Sequence, residues 1–580
     1  MAAQLLIRTA NAVELPDSLP PLVRRIYSQR EISQPSDLEL SLAKLLDPQS
    51  LKGISEAVDL LEQALIRDER LLIVADFDAD GATSCALALT ALKAFGAEQV
   101  DYIVPNRFDY GYGLTPEIVE LAKLKSPDLI ITVDNGISSI EGVDCAQAAG
   151  IKTLVTDHHL PGSELPTAAA IVNPNQPGCS FASKSIAGVG VIFYVMLALR
   201  ARLRSTGWFA ERGITEPNLA SLLDLVALGT VADVVALDHN NRILVSEGIK
   251  RIRAGQARPG ILSLLTLAKR NYATLAASDL GFAVGPRLNA AGRLEDMSTG
   301  IECLLAQDES EAHTLALQLD GMNKDRRDIE SGMREQAFAL VDEISLDGDA
   351  LPAALSLFDE GWHQGVVGIV ASRIKERCHR PVVAFALADA HGASDELKGS
   401  ARSIQGFHIR DALDAVATRH PGLISKFGGH AMAAGLSLSR ENLEEFRAAF
   451  AEEAARVLSP ELLQATIVSD GELTAKELTL TNAVLLAEAG PWGQAFPEPC
   501  FHGRFRIQQL RRLGENHLKM VLSPPDDDAV IVDAIAFNVS EEDWPPATAT
   551  EITLAYRLSV NEFRGNRSLQ LMVEHLLGSS

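Results

Sequence analysis

Between residues 71 and 156, short apolar runs alternate with longer stretches of helical periodicity. The runs are "LLIVAD", "VDYIVP", "LIITVD" and "IKTLVTD"; "ATSCALALTALKAFG" and "SSIEGVDCAQAAG" are among the stretches between them. Unbroken apolar runs separated in this way predict strands of a parallel sheet buried by helices on both faces. Further on, "EPNLASLLDLVALGTVADVV" (216–235) begins as an apolar-periodic helix, and "GFAVGPRLNAAGRLEDMS" (281–298) is loop-rich. Residues 308–345 keep helical periodicity with no proline, and Asp308 or Ser310 can cap them. Such a helix spans on the order of 50 Å, enough to bridge two domains. "LDGDALP" (346–352) reads as its break.

Strand and helix signals alternate again over 353–455, with glycine-rich patches at "GWHQGVVGIVASRI" and "FGGHAMAAG". The remainder changes character: "FHGRFRIQQLRRL", "HLKMVLS", "VDAIAFNV", "EITLAYRLSVNEF" and "SLQLMVE" are strand-like runs separated by turn residues. They predict a small β-barrel of the oligonucleotide-binding (OB) kind. The expected fold is therefore multidomain α/β. A parallel-sheet domain at 51–305 follows an N-terminal extension (1–50), and a long connecting helix (306–346) leads to a second, smaller α/β domain (350–457). The OB-like barrel occupies 462–577.

Composition narrows the class. At 580 residues the chain exceeds one core. The six cysteines are scattered with no CxxC, which argues against a zinc ribbon or a disulfide framework and suits a reducing cytosol. The start lacks signal-peptide features and no apolar run reaches membrane-spanning length, so a soluble, cytoplasmic protein is expected. A formal charge of −25 weighs against nucleic acid as a partner unless local basic residues and bound cations dominate.

The chemistry gathers at strand ends. "DFDADG" follows "LLIVA", "DNG" follows "LIITV", and "DHH" follows "IKTLVT". In an open parallel sheet the carboxyl ends of the strands share one edge, where ligands bind, so Asp76, Asp78, Asp80, Asp134, Asp157, His158 and His159 should converge. Adjacent carboxylates repel one another unless a cation lies among them. An EF-hand is excluded: counted from Asp76, the twelfth position is Leu87 where a bidentate acid is required. A phosphatase of the haloacid-dehalogenase type has no place for "TDHH". Neighbouring side chains on extended backbone point opposite ways, so His158 is assigned to metal and His159 to the scissile phosphate or a supporting acid. Oxygen-rich ligands with one imidazole suit Mn²⁺ or Mg²⁺, and this many acids can hold two ions.

With "DFDADG", "VDNG", "TDHH" and "ALGTVADVV", the chain resembles the DHH phosphoesterase family, whose four motifs these match in order. "GPRLNAAGRLEDM", "GWHQGVVGIVASRI", "KGSARSI" and "FGGHAMAAG" are similar to further motifs of that family's single-strand-specific exonucleases, so the resemblance covers about residues 40–575. It implies metal ligands at Asp78, Asp80, Asp134, His158 and Asp233, with Asp76, Asp157 and His159 as catalytic participants. Asp224 rivals Asp233 in the fourth motif; Asp233 is preferred because "GTVAD" carries the match, leaving Asp224 on a solvated helix face. Val74 stands where smaller relatives carry a histidine. The second α/β domain corresponds to the family's DHH-associated domain.

The resemblance further implies degradation of single-stranded DNA from the 5′ end to mononucleotides, in recombination and repair. A single-strand-binding protein and a helicase are the implied partners of an enzyme that can work as a monomer, with no membrane. Other readings are a DHH phosphodiesterase on short oligonucleotides or cyclic dinucleotides, and a non-catalytic replication scaffold. For holding the strand, Arg287, Asn289 and Arg293 lie in the glycine-punctuated 281–298 segment, and Ser400, Arg402, Gly428, Gly429 and His430 in the second α/β domain. In the last domain Arg504, Arg506, Arg511, Arg512 and Lys519 face a single acid, Glu515, within 501–520. Arg504 and Lys519, with one or two of Phe505, Phe537, Tyr556 and Phe563, are the candidate single-strand platform. Lys324, Arg326 and Arg327 are assigned to a solvated face of the long helix.

Overall fold

The apolar runs at 71–156 form strands of a five-stranded parallel sheet in the computed structural model. It describes residues 4–579 except 31, 33, 107–109, 111, 347–350, 389–394, 515–516, 538, 540–544 and 546–548. The strands are β1 (Leu71–Ala75), β2 (Val100–Ile103), β3 (Leu129–Val133), β4 (Lys152–Thr156) and β5 (Ala170–Val172), in spatial order β2-β1-β3-β4-β5. Three-residue β5 was too short to stand out in the sequence. Alternation along β1 explains why its run is wholly apolar. Leu71, Ile73 and Ala75 enter one core with the helices Ile54–Ile66, Ala79–Ala94 and Gly188–Ser205. Leu72 and Val74 enter another with Pro116–Lys123 and Ile140–Ala148. From β1 the chain goes to β2 on one side and then to β3 on the other, which opens a crevice at the carboxyl ends of β1 and β3.

The segment expected as loop at 281–298 is largely helical. A π-helical turn, Leu280–Val284, leads into the helix Gly285–Leu294. Its glycines and alanines read as turn punctuation, but they serve close packing: a Cβ on Gly292 would lie 1.9 Å from Phe77 O. The long helix runs Glu309–Leu346, and Asp308 caps it by accepting from Ser310 and Glu311 N–H at 2.9 and 3.0 Å. Most of the expected break at 346–352 lies outside the described residues.

The chain divides into two compact units. One is Ile7–Asn323 with the segment from Ser469 onward; the other is Lys324–Val468 with the first residues. The second unit holds a mixed sheet of β6 (Leu355–Phe358), β7 (Val382–Leu387), β8 (Glu396–Arg402), β9 (Lys426–Gly429) and β10 (Ala433–Ser439), in order β9-β10-β8-β7-β6. One face packs on Ile409–Arg419 and Leu443–Val457, the other on Val367–Cys378 and on Met333, Ala337 and Val341. Arg326 departs from its expected solvated face: it is buried and donates to Glu330 Oε2 at 2.8 Å.

In the first unit, β11 (Phe501–Leu513), β12 (His517–Ser523), β13 (Val532–Ala536), β14 (Glu551–Phe563) and β15 (Asn566–Ser579) close a barrel in order β11-β12-β13-β15-β14. The helix Pro21–Ser28 belongs to this core, where Leu22, Val23 and Ile26 join the cluster of Phe501, Phe505 and Leu486. Arg30 forks onto Asp470 at 2.6 and 3.0 Å with both side chains buried, and Arg8 reaches the same acid at 3.2 Å. These contacts fasten the N-terminal stretch to the barrel. Among the described residues, no helix is long and apolar enough to cross a membrane.

Candidate metal centre

The first sheet's ladder runs on past its last strand residues. Asp76 N–H donates to Val133 O (3.3 Å), Asp134 N–H to Thr156 O (3.0 Å) and Asp157 N–H to Val172 O (3.1 Å). Three acids therefore stand side by side at the carboxyl ends of β1, β3 and β4. The turn after β3 is locked by Asn135, whose Nδ2 donates to Val74 O and Val133 O at 3.1 and 2.9 Å. Asp134 itself has φ +62°, a left-handed conformation that neighbouring bonds must hold against its cost of about 1–3 kcal/mol.

After β1 the chain turns into the helix Ala79–Ala94. Asp78 caps it, Oδ1 accepting from Asp80 and Gly81 N–H at 2.9 and 3.0 Å. Asp80 aims both oxygens at the start of the helix Gly188–Ser205, accepting from Gly188 N–H (2.7 Å) and Val189 N–H (2.9 Å). Gly188 is required for the close approach of Asp134 to the same helix start, because a Cβ there would lie 2.6 Å from Asp134 Cβ and Oδ1. Asp233 terminates the helix Leu223–Ala232, and the next residue, Val234, is held at φ +61°.

Among the described residues, three sets offer ligand atoms within 4.8 Å of one another: Asp76–Asp78–Asp134, Asp80–His158–Asp233 and Asp134–His158–His159. The first two share no member, and the third joins them through Asp134 and His158. His158 Nε2 lies 3.1 Å from Asp134 Oδ1 and 3.5 Å from Asp233 Oδ2. Burial, and then the charge of Asp78, push the Asp80 carboxyl up to about 7. Burial followed by the charges of Asp80 and Asp78 carries Asp134 and Asp233 well above the carboxylate range. Buried Asp134 Oδ1 accepts no hydrogen bond among the described residues. Mutually repelling acids with an unsatisfied buried oxygen, plus imidazole, form a donor set that fits Mn²⁺ or Mg²⁺.

Asp157 has a different environment. It accepts from the N–H groups of His158 (2.7 Å), His159 (3.0 Å) and Ile137 (2.9 Å), and from His159 Nδ1 at 2.8 Å. Burial opposes its charge, but the His159 hydrogen bond and charge outweigh burial and hold it below the usual range. In turn, burial disfavours charge on His159, yet the bond to Asp157 and that acid's charge push it up to about 9. Asp157 is thus occupied as an orienting acid, whereas Asp76, grouped with it in the sequence reading, shares a ligand set with Asp78 and Asp134. Tyr112, which sequence reasoning passed over, places its hydroxyl 3.2 Å from His159 Nδ1 and 3.2 Å from Asp134 O. Its signal was the aromatic and glycine cluster "DYGYGLT" after β2, on the same sheet edge.

Several expected roles change. Asp224 is buried, not solvated, and pairs with Arg258 Nε at 3.1 Å, away from the ligand sets. Arg287 is buried rather than set in an open loop, donating to Asp320 at 2.9 Å and to Ala283 O at 2.6 Å, so it braces its own helix. Asn289 Oδ1 accepts Ala79 N–H at 2.7 Å, which turns it toward the first motif. Arg293 is half-buried on the same helix. In the second unit, Arg402 donates to Ser400 Oγ at 2.9 Å, and exposed Gly428, Gly429 and His430 lie at the β9 edge of that sheet.

The barrel's basic cluster is less bare than its sequence. Arg506 pairs with Asp528 (2.7 Å), Arg504 with Glu551 (3.4 Å) and Lys519 with Asp533 (3.3 Å), all acids brought in from other segments. Glu515 lies outside the described residues. Phe505 and Tyr556 are core, while Phe537 and Phe563 are exposed and remain the stacking candidates.

Three family models match in succession: the DHH family N-terminal domain at 70–230, the DHHA1 domain at 350–456 and the RecJ OB domain at 469–575. The chain is 57% identical over 99% of its length, and 99% of the relative's, to the single-stranded-DNA-specific exonuclease RecJ of Dickeya dadantii. It is also similar to two crystal structures of RecJ from Thermus thermophilus. The Mn²⁺ complex has TM-score 0.77 at 30% identity, covering 99% of this chain and 79% of that one. The Mg²⁺ complex has TM-score 0.72 at 29% identity, covering 99% and 78%. The chain belongs to the RecJ family of DHH proteins.

Proposed function

We propose that the protein is a metal-dependent exonuclease that degrades single-stranded DNA from the 5′ end to mononucleotides, serving recombination and repair. The observation that carries this reading is the convergence of five aspartates and two histidines into overlapping ligand sets at the switch point of a parallel sheet. Similarity to a RecJ exonuclease along nearly the whole chain supports the choice of substrate.

Asp76, Asp78, Asp80, Asp134, His158 and Asp233 would hold two Mn²⁺ or Mg²⁺ ions, which supply charge against the phosphate and acidify the attacking water. Asp157 accepts the Nδ1 hydrogen bond of His159 and fixes the ring, so that Nε2 can hand a proton to the phosphate or the leaving 3′ oxygen. The Tyr112 ring is half exposed, but its hydroxyl end is buried and crowded by Asp76, Asp157 and Asp134, which keeps the hydroxyl protonated where it steadies that ring. Arg293, Ser400, Arg402, Gly428, Gly429, His430, Arg504 and Lys519 are assigned to the DNA backbone. A cytoplasmic monomer working beside a single-strand-binding protein and a helicase completes the reading, on the strength of the family resemblance.

The test uses an internally labelled single-stranded oligonucleotide with either end blocked in turn, given Mn²⁺, Mg²⁺ or EDTA. Metal-dependent release of mononucleotides, stopped by the 5′ block and by Asp134→Asn, is the expected result. Intact DNA under every metal would overturn the assignment and redirect the search to short oligonucleotides and cyclic dinucleotides.

A further inference from the structure

The first turn of the helix Ala79–Ala94 presents the N–H groups of Ala79, Asp80 and Gly81 with no partner inside the helix. Two, from Asp80 and Gly81, go to Asp78 Oδ1, while Ala82 N–H makes the first ordinary helical bond, to Asp78 O. The remaining one, on buried Ala79, is accepted by Asn289 Oδ1 at 2.7 Å, from a residue 210 positions away. Removing that acceptor leaves a buried N–H that the DFDADG loop can satisfy only by moving.

Asn289 shares a helix face with Gly285 and Gly292, at intervals of four and three residues. Gly292 packs against Phe77 O, where a Cβ would come within 1.9 Å; a Cβ on Gly285 would meet Ala232 Cβ at 3.2 Å. Phe77 lies between Asp76 and Asp78, and Ala232 immediately precedes Asp233. One face of one helix therefore touches both ligand-bearing segments, the turn after β1 and the end of the helix Leu223–Ala232.

We infer that Asn289 is a positioning residue for the metal cluster, the hydrogen-bonding member of a helix that sets the first-motif aspartates against Asp233. The inference rests on the proposed metal-binding reading and needs no contact between Asn289 and DNA. Groups that orient metal ligands typically change affinity about 10–100-fold when removed.

The experiment titrates Mn²⁺ into the DNA-free protein and follows the free-ion signal by electron paramagnetic resonance, with melting in EDTA as the check on folding. Asn289→Ala should bind Mn²⁺ at least tenfold more weakly while the metal-free protein still melts cooperatively. Asn289→Asp, which keeps an acceptor oxygen in place, should restore affinity to within about threefold of the original protein. Steady-state kinetics supply the opposing signature. A residue that contacts the DNA backbone would leave Mn²⁺ affinity unchanged and raise KM, more so in Asn289→Asp because of charge repulsion. That outcome would overturn the proposal while leaving the metal reading intact. Failure of the unaltered protein to bind Mn²⁺ would overturn both.

Discussion

At the scale of single residues, the site depends on backbone held where side chains rarely allow it. Asp134 at φ +62° brings its carboxylate against Gly188, whose missing side chain is the space that carboxylate occupies. Gly188→Ala should therefore weaken Mn²⁺ binding roughly 10–100-fold while the fold survives, measured by calorimetric titration beside a circular dichroism melt. Unchanged affinity would mean that Asp134 has room to retreat without loss. The candidate ligands Asp76, Asp78, Asp80, Asp134 and His158 stood out in the sequence because each cluster follows an apolar run directly. Asp233, at the end of a helix, was singled out through the family resemblance. Tyr112 and the carboxamide of Asn289 did not stand out, since each acts through a partner distant in sequence. The same blindness sent Arg287 and Asp224 to the wrong environments: their partners, Asp320 and Arg258, lie 33 and 34 positions away.

At the scale of elements, periodicity predicted four of the five strands of the first sheet, the long helix and the five barrel strands, because each buries a face along its own length. It failed for Gly285–Leu294, where small residues allow close packing against other elements and so resemble a loop. In the second unit, the helices Ile409–Arg419 and Leu443–Val457 are tied by Glu453, which accepts from Arg456 Nε at 2.9 Å and also bonds to Arg419. Arg456, and then Arg419, pull the Glu453 carboxyl down to about 2. A carboxyl depressed in the folded state stabilises above its ordinary value near 4.5 and loses that contribution as pH falls toward 2. The urea-midpoint difference between the natural protein and Glu453→Gln should be present at pH 7 and shrink steadily between about pH 4.5 and 2. A difference that stays constant with pH would assign the effect to packing.

For the whole molecule, a formal charge of −25 argued against a DNA-handling protein, and what bears on that is how the charge is distributed. Five of the 77 acidic side chains stand in the ligand sets, where cations would neutralise them, and Asp528, Glu551 and Asp533 engage the barrel's arginines and lysine. The fastening of the N-terminal stretch to the barrel could not be read from the sequence, because Arg30 and Asp470 are 440 positions apart. Both are buried, so Asp470→Ala leaves a guanidinium without its counter-charge and should cost about 3–5 kcal/mol in chemical denaturation. A loss below about 1 kcal/mol would show that water reaches Arg30 in its place.

That fastening also imposes an order in time. Leu22, Val23 and Ile26 emerge from the ribosome roughly 450 residues ahead of the barrel strands that cover them, and synthesis runs at about 5–20 residues per second. For roughly half a minute or more, one of the first helices made has no surface to rest on. The helix Pro21–Ser28 finds its cover only once the barrel strands exist, so a chain that stops between the two leaves Leu22, Val23 and Ile26 without that cover.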